Sequence, residues 1–408
     1  MHIPLTIESI AYRGAGVARH ENLVHFVPGT CPGEDILAEV VREKPTFRES
    51  RVVQIVKASP DRLAQPDCLV ATPDGNIPVP GCVYGHATHE AELGYKQEQL
   101  LSFLTRQGGV AQAAEIVLPF VASSQHLHYR NKITLHAGRD AQGRQVLGYI
   151  GEDNVTVVDL PQCPLAVPPI NRLLTEIRAD RDFWPYVEEA GSVILRWTES
   201  DGAVVIPISG DGEDPTPPLT ETVPGLGQIR VPARGFFQVN PAVGVELLQH
   251  VLEAIESAAP EELIDGYCGV GVFGLSASKR RIRHVQGFDS GRDVIRAAND
   301  NARRYGLPTR FFCEYFARVI SRALEQLRTR KRMVVLDPPR AGLEPEVVAA
   351  LRAHPVEHLV YVSCAPDTLA RDLAKLTRDG LYAVVSARLF DMFPRTAHFE
   401  TVVVMRKA

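Results

Sequence analysis

A chain of 408 residues is longer than one compact core of ordinary size, so two or three domains are expected. A net charge of -5 and a mean composition of 45% hydrophobic residues describe an ordinary soluble protein, not a uniformly basic nucleic-acid binder. No apolar run approaches the ~20 residues that a membrane span needs, and the opening stretch Met1 to Gly16 is charged and turn-rich, which points to a cytoplasmic protein without a membrane partner.

The seven cysteines are an odd number spread over the chain, which favours reduced thiols, metal ligands or a nucleophile over a disulfide framework. Charge is segregated along the chain. Residues 180–221 carry ten acids against Arg181 and Arg196, whereas residues 279–332 carry fifteen Lys or Arg against five acids. Solvated helix faces account for any single arginine there; a whole basic segment could instead supply phosphate contacts.

Residues 1–60 read as short strands, Leu5 to Ala11, Leu23 to Val27, Asp35 to Glu43 and Ser50 to Ala58, separated by Gly and Pro turns. Regularly spaced strands of this kind predict a small β-barrel, an architecture that either carries oligonucleotides or serves as a structural module. A second region, residues 61–235, begins with a Pro- and Asp-rich stretch holding Cys68 and Cys82, followed by a helix from Thr88 to Arg106. Strand-like runs then dominate: Tyr129 to Leu135, Gln145 to Ile150, Val155 to Leu160, Ser192 to Thr198 and Ala203 to Ile208. Tight turns between them predict an antiparallel sheet domain, with Ser209 to Thr222 as its most obvious loop.

From residue 236 to 408 strands and helices alternate. Apolar strands end at Asp265, Asp289, Cys313, Asp337, Ser363 and Phe390, with helices at Pro241 to Ser257, Gly291 to Tyr305, Tyr315 to Leu327, Pro345 to Ala353 and Asp367 to Thr377. The pattern predicts a doubly wound parallel sheet. A seventh strand, Phe399 to Met405, follows the sixth after only Asp391 to His398. That is too short for a parallel crossover, so the last two strands should form an antiparallel hairpin.

In that region, Leu263 to Gly271 is a strand running into a glycine turn and then a helix, where backbone comes close to a ligand. Gly269, Gly271 and Gly274 also fit the dinucleotide pattern, with Asp289 placed to hold a ribose, so an NAD-dependent oxidoreductase is one reading. Adenosylmethionine has no pyrophosphate to cradle, and a carboxylate at the end of the first strand, Asp265, can face its ammonium group. Val334 to Arg340 places Asp337 and a stiff Pro338-Pro339 shelf at the same sheet edge. Cys364 lies just past the fifth strand and before a helix, whose dipole lowers a thiol pKa. The antiparallel seventh strand begins at that edge and brings Glu400 there. A thiol and a carboxylate suit methylation of uracil at carbon 5: the sulfur activates the ring by adding to carbon 6, and the carboxylate removes the carbon 5 proton afterwards.

Taken together, Phe236-Phe237-Gln238-Val239-Asn240, Asp265 to Gly271, Asp337-Pro338-Pro339-Arg340, Ser363-Cys364 with Thr368 to Asp372, and Asp391-Met392-Phe393-Pro394 with His398 and Glu400 resemble the TrmA-like family of RNA uridine-5 methyltransferases, over nearly the whole chain. The resemblance implies a multidomain α/β protein. Its parts would be an amino-terminal TRAM barrel related to the OB fold, a central sheet domain, and a carboxyl-terminal Rossmann-like methyltransferase domain with seven strands. Part of residues 88–122 would pack on that last domain. It further implies S-adenosylmethionine as cofactor, contacted by Gln238, Tyr267, Asp289 and Asp337, with Cys364 as nucleophile and Glu400 as proton acceptor. The partner would be an RNA, ribosomal or transfer, with no obligate protein partner, and Tyr129-Arg130-Asn131-Lys132 resembles the family's basic strand facing the active site.

Some positions depart from the family pattern. Val272 and Ala365 stand where it commonly has Asn. Many members bind a four-iron cluster through four cysteines; Cys68, Cys82 and Cys163 match three of those ligands, but Val79 stands where another should be. A four-iron cubane normally takes four thiolates, so a degenerate site held by ordinary packing is expected. The departures also leave open a non-catalytic RNA-binding homologue.

Overall fold

The computed structural model describes residues 2–72, 75–140, 142–151, 153–208 and 216–408. Among the described residues no helix is long and apolar enough to cross a membrane.

The amino-terminal unit is a single six-stranded sheet, formed by His2–Thr6, Ser9–Ile10, Gly16–His20, Leu23–Val27, Asp35–Glu43 and Phe47–Lys57. Leu5, Ile7, Ala18, Val27, Ile36 and Ala38 turn inward to make its small core. Alternating side-chain direction along each strand explains why so few apolar residues suffice. Three register shifts between Asp35–Glu43 and Phe47–Lys57 bend these two long strands. The stretch Leu5 to Ala11, expected as one strand, is broken between Thr6 and Ser9, and Gly16–His20 adds a strand that the sequence pattern did not reveal.

The central unit is a five-stranded antiparallel sheet of Lys132–Arg139, Gln145–Ile150, Val157–Asp159, Ser192–Thr198 and Gly202–Pro207. Two helices, Pro168–Ala179 and Phe183–Ala190, belong to the same unit. The first buries Ile170, Leu174 and Ile177, one face of a helical period, and its start is fixed by prolines at the first turn. Half of the expected Ser209 to Thr222 loop, residues 209–215, lies outside the described residues; Leu219–Val223 is a strand paired with Gly227–Val231. Leu69–Thr72 and Gly75–Pro78 form a separate hairpin.

The carboxyl-terminal sheet carries strands labelled here β1 (Glu262–Gly266), β2 (His284–Asp289), β3 (Arg310–Cys313), β4 (Arg332–Leu336), β5 (His358–Ser363), β6 (Tyr382–Phe390) and β7 (Glu400–Lys407). Their order is β3-β2-β1-β4-β5-β7-β6, and β7 runs antiparallel to both β5 and β6. The expected hairpin is therefore present. The expected count of seven strands is not, because Val117–Val121 joins the outer side of β6 as an eighth, parallel strand. Pro119 is tolerable there, since an edge strand leaves one row of N–H positions unpaired. The helix His89–Arg106 precedes that strand. Its Thr88 cap accepts the Ala91 N–H, and Leu100 and Leu104 enter the same core as Leu336, Tyr361 and Phe399. Full burial of two leucines contributes about 1.5–3 kcal/mol each, so the helix is firmly docked on the carboxyl-terminal sheet.

Candidate active site

β1 leads into a turn in which Tyr267, Gly269 and Gly271 all have positive φ, 61°, 53° and 79°. Gly271 has no alternative: a Cβ there would lie 2.5 Å from the Phe311 ring. Asp289, at the end of β2, shapes the same turn. Its Oδ2 accepts the Gly269 N–H at 3.0 Å, and its Oδ1 accepts the Gly291 N–H at 2.8 Å. Asp265 was expected to face a ligand, but it is fully buried under the turn, where Oδ2 accepts the Gly274 N–H at 2.8 Å. Burial pushes its carboxyl up to about 8, with Asp337 and Asp289 adding to the shift.

In front of the turn lies a cleft lined by Phe237, Gln238, Tyr267, Gly269, Val272 and Asp337 among others. Three of the four expected cofactor residues, Gln238, Tyr267 and Asp337, thus share one cavity. The fourth, Asp289, is joined to it through Gly269. Gln238 Oε1 is buried without a hydrogen-bond partner among the described residues. A buried acceptor left in that state costs free energy, and a ligand donor would satisfy it. The Tyr267 hydroxyl is already engaged, donating to Glu344, and its ring meets Phe316 edge-on. Tyr267 therefore offers the cleft a ring face in a fixed pose. These features fit a largely apolar ligand with a few polar groups.

Cys364 and Glu400 are brought together by strand register. β5 pairs with β7 antiparallel up to Ser363 opposite Thr401, so the residues that follow and precede that pair, Cys364 and Glu400, come to the same end of the two strands, near enough for the Glu400 charge to act on the thiol. Both belong to the sheet edge that holds Asp337. Burial pushes the Cys364 thiol up to about 11; Glu400 and Asp337 add to that, and Arg340 opposes it. Glu400 is 4% exposed, and burial together with Asp337 holds its carboxyl well above the ordinary range. Asp337 is raised by burial to about 7. Three acids thus share one confined space, with Arg340 as the cation acting on both the thiol and Glu400.

A second cleft is lined by Tyr12, Arg13, Arg130, Tyr149, Arg340 and His398 among others. It is walled by all three units of the chain. Asp337 lines the first cleft, while Arg340, Ala365 and His398, close neighbours in sequence of Asp337, Cys364 and Glu400, line the second. Cys364 and Glu400 themselves line neither cleft among the described residues. Sequence reasoning did not single out Tyr12, Arg13 or Tyr149, since only the folded chain brings those units together. The expected basic strand divides its roles. Arg130 lines the cleft and donates from Nε to the Tyr129 hydroxyl, Tyr129 donates to Pro394 O at 3.0 Å, and Lys132 donates to Arg234 O and Gly235 O. Burial and Arg196 push the Lys132 ammonium down to about 8.

The cysteine segment differs from expectation. Cys68 and Cys82 are joined in a disulfide, so these two are not the free thiols that the odd count suggested. They flank the Leu69–Thr72/Gly75–Pro78 hairpin, which brings its two ends together, with the Val79 N–H donating to Cys68 O. Cys163 is buried beside the Tyr149 hydroxyl at 3.4 Å, and all three cysteines share one apolar core with Val79. Among the described residues no group of three or more His, Cys, Asp or Glu side chains is placed to hold a metal.

Residues 228–408 match the family described as tRNA (uracil-5-)-methyltransferase. Over 99% of its length the chain is 30% identical to an uncharacterized RNA methyltransferase of Nostoc sp., covering 96% of that protein. It is 28% identical to an uncharacterized RNA methyltransferase of Halalkalibacterium halodurans, with 99% and 96% covered. The fold is that of the Pyrococcus abyssi tRNA (uracil-54, C5)-methyltransferase solved with S-adenosyl-L-homocysteine: TM-score 0.73, 24% identity, and 99% and 100% of the two chains covered.

Proposed function

The chain belongs to the tRNA (uracil-5-)-methyltransferase family of RNA methyltransferases, and we propose that it methylates carbon 5 of an RNA uridine through a covalent bond from Cys364 to carbon 6. The observation that supports this reading is the antiparallel pairing of β5 with β7, which ends at Ser363 opposite Thr401 and so brings Cys364 and Glu400, the residues adjoining that pair, to the sheet edge of Asp337. S-adenosylmethionine would occupy the first cleft and supply a methyl group from its sulfonium. Gln238, Tyr267 and Asp337 would hold it directly, and Asp289 would accept from its ribose hydroxyls with the lone pairs left over from Gly269 and Gly291. The charges in that cleft favour a sulfonium over a dinucleotide. Its carboxylates are Glu221 and Asp337, and no Lys or Arg is among the described lining residues to meet a pyrophosphate.

The target uridine would enter by the second cleft. Arg13, Arg130 and Arg340 offer phosphate contacts there, and Tyr12 and Tyr149 offer rings to an unstacked base. We assign residues 1–60 as a TRAM-like RNA-binding barrel, 61–235 as the central domain and 236–408 as the methyltransferase domain. The RNA is a transfer or ribosomal RNA.

Cys364 must first lose its proton. Its sulfur then bonds to carbon 6, and the electrons of the 5,6 double bond move toward the carbon 4 oxygen. Carbon 5 takes the methyl group, and Glu400 accepts the carbon 5 proton. The electrons released re-form the double bond and expel the Cys364 thiolate. A carboxylate whose buried setting raises its proton affinity is a stronger base for that last step than an exposed one.

The two residues are therefore asymmetric, and that asymmetry is the test. Cys364→Ala should form no adduct with RNA and no product, while Glu400→Gln should accumulate a covalent, already methylated complex that survives denaturing electrophoresis. A folded Cys364→Ala protein that methylates RNA at the normal rate overturns the mechanism. Mass spectrometry of RNA from a deletion strain identifies the uridine.

A further inference from the structure

The connection between β6 and β7, residues 391–399, carries His398 and leads directly into Glu400. Its polar anchors come from sequence far away. Lys96 is fully buried and donates to Glu92 Oε1 at 2.6 Å, Asp391 Oδ1 at 3.0 Å and Phe393 O at 3.3 Å. His89 bonds the other Asp391 oxygen at 2.7 Å. Arg395 is 1% exposed and has φ of 67°, a left-handed conformation that a non-glycine residue keeps only when its surroundings hold it there.

What holds it is visible. Glu92 Oε1 accepts the Arg395 backbone N–H at 2.8 Å, and the guanidinium donates to Glu92 Oε2, Asp67 Oδ2, Tyr84 O and Ala87 O. The backbone N–H groups of Val83 and Tyr84 in turn donate to Arg395 O. One glutamate on the helix His89–Arg106 thus grips both the backbone and the side chain of Arg395, and through Lys96 it also reaches Asp391. Buried ion pairs are costly to assemble and add little net stability, so their presence calls for a positional reason.

We propose that this helix is a working part of the catalytic site. Glu92 and Asp67 fix Arg395, Lys96 fixes Asp391, and by pinning the connection at these two points they set where the Glu400 carboxylate stands when the carbon 5 proton departs. Arg395, Glu92 and Lys96 are positioning residues. The inference rests on Glu400 being the base. It accounts for the docking of a segment from the amino-terminal half onto the carboxyl-terminal sheet, five residues from Glu400 at its nearest anchor.

The test separates positioning from simple support of the fold. Arg395→Met and the near-isosteric Glu92→Gln are compared with wild type and Glu400→Gln at saturating RNA and methyl donor. A base displaced by about 1 Å loses up to ~100-fold, so turnover should fall ~10- to 100-fold. The methylated covalent complex should accumulate as in Glu400→Gln. The rate of covalent trapping on RNA carrying 5-fluorouridine, which needs Cys364 but no departure of a carbon 5 proton, should stay within about twofold of wild type. If Arg395→Met does not fold, Glu92→Gln decides alone. Turnover and trapping that fall together, or turnover that is unchanged, overturn the proposal. If Glu400→Gln itself accumulates no complex, the assignment of the base has failed, and the proposal falls with it; a complex in Glu400→Gln but in neither other variant refutes positioning alone.

Discussion

Replacing Arg340 with Gln tests the electrostatics of Cys364, the proposed nucleophile. With the thiol pushed up to about 11, only about one Cys364 in a thousand is a thiolate at pH 8, against about one in ten for a thiol at its ordinary value of 9.0. Arg340 opposes that rise, both as a nearby cation and as a hydrogen-bond donor to the sulfur. A charge-assisted hydrogen bond in a dry setting is worth about 1.5–3 kcal/mol. Arg340 is exposed, so solvent screening leaves roughly one pKa unit, or tenfold in thiolate. Arg340→Gln should therefore slow adduct formation about tenfold on 5-fluorouridine RNA near neutral pH. The assay is adduct formation followed by denaturing electrophoresis at saturating RNA, because Arg340 also lines the second cleft and its loss will weaken RNA binding. Below the thiol pKa, the rate for both proteins should climb about tenfold per pH unit. A variant that forms adduct at the wild-type rate, or whose deficit disappears when RNA is raised, would show that Arg340 serves binding alone.

Other consequences are checked by simpler measurements. Asp289→Ala should weaken binding of the methyl donor by about 1–3 kcal/mol in titration calorimetry; unchanged affinity removes Asp289 from the cofactor site. Protein purified without oxygen should contain little iron and lack the broad visible absorbance of a four-iron cluster, whereas four atoms per chain would point to a replacement for the ligand that Val79 does not supply. Asp265 keeps a proton in the fold that the unfolded chain loses, because its carboxyl is held at about 8 against an ordinary 3.8. Stability should therefore fall as pH rises between those two values. Asp265→Asn, which keeps an acceptor for the Gly274 N–H, should flatten that slope and raise the melting temperature at pH 8 by a few degrees, at about 2–4 °C per kcal/mol; a lower melting temperature would refute the assignment.

The carboxyl-terminal sheet was legible because its signals are local. Most of its strands are short apolar runs closed by a polar residue, and the short stretch Asp391 to His398 after Phe390 requires an antiparallel hairpin on length alone. That single topological deduction placed Glu400 beside Cys364. What stayed hidden depended on partners far along the chain. Val117-Leu118-Pro119-Phe120-Val121 is a weak strand on its own terms, and it becomes one because β6 offers an open edge. Two helices of the central unit were missed, although Pro168-Pro169 with Ile170, Leu174 and Ile177 is a readable start and period. Thiol and carboxyl shifts could not be read at all, since they arise from burial. At Cys364 burial and the two carboxylates push the thiol up, effects that a local rule about helix starts does not contain. The pairing of Cys68 with Cys82 depends on the hairpin between them, whose strands are each four residues long.

The free site is arranged against its own reaction, and that arrangement has a use. Burial raises the proton affinity of Asp337, Glu400 and Cys364 alike, Asp337 adds to the rise at Glu400, and both carboxylates add to it at Cys364, so the protein alone holds few thiolates. Each cation that enters shifts the balance the other way. A sulfonium in the first cleft would approach Asp337, which lines it, and Arg340 at the mouth of the second already opposes the rise at both Cys364 and Glu400. Favouring ionised Asp337 at neutral pH requires only a modest interaction, because burial has left its carboxyl at about 7, close to the working range. The thiol needs more, and a substrate that excludes water from the second cleft would strengthen the hold of Arg340 on the sulfur. A nucleophile that is protonated until both clefts are filled is also protected from oxidation and stray alkylation, to which thiolates are far more prone than thiols. The same burial that makes Cys364 a weak nucleophile in the free protein makes Glu400 a strong base once the adduct has formed, so one environment serves the two ends of the proposed reaction in opposite senses.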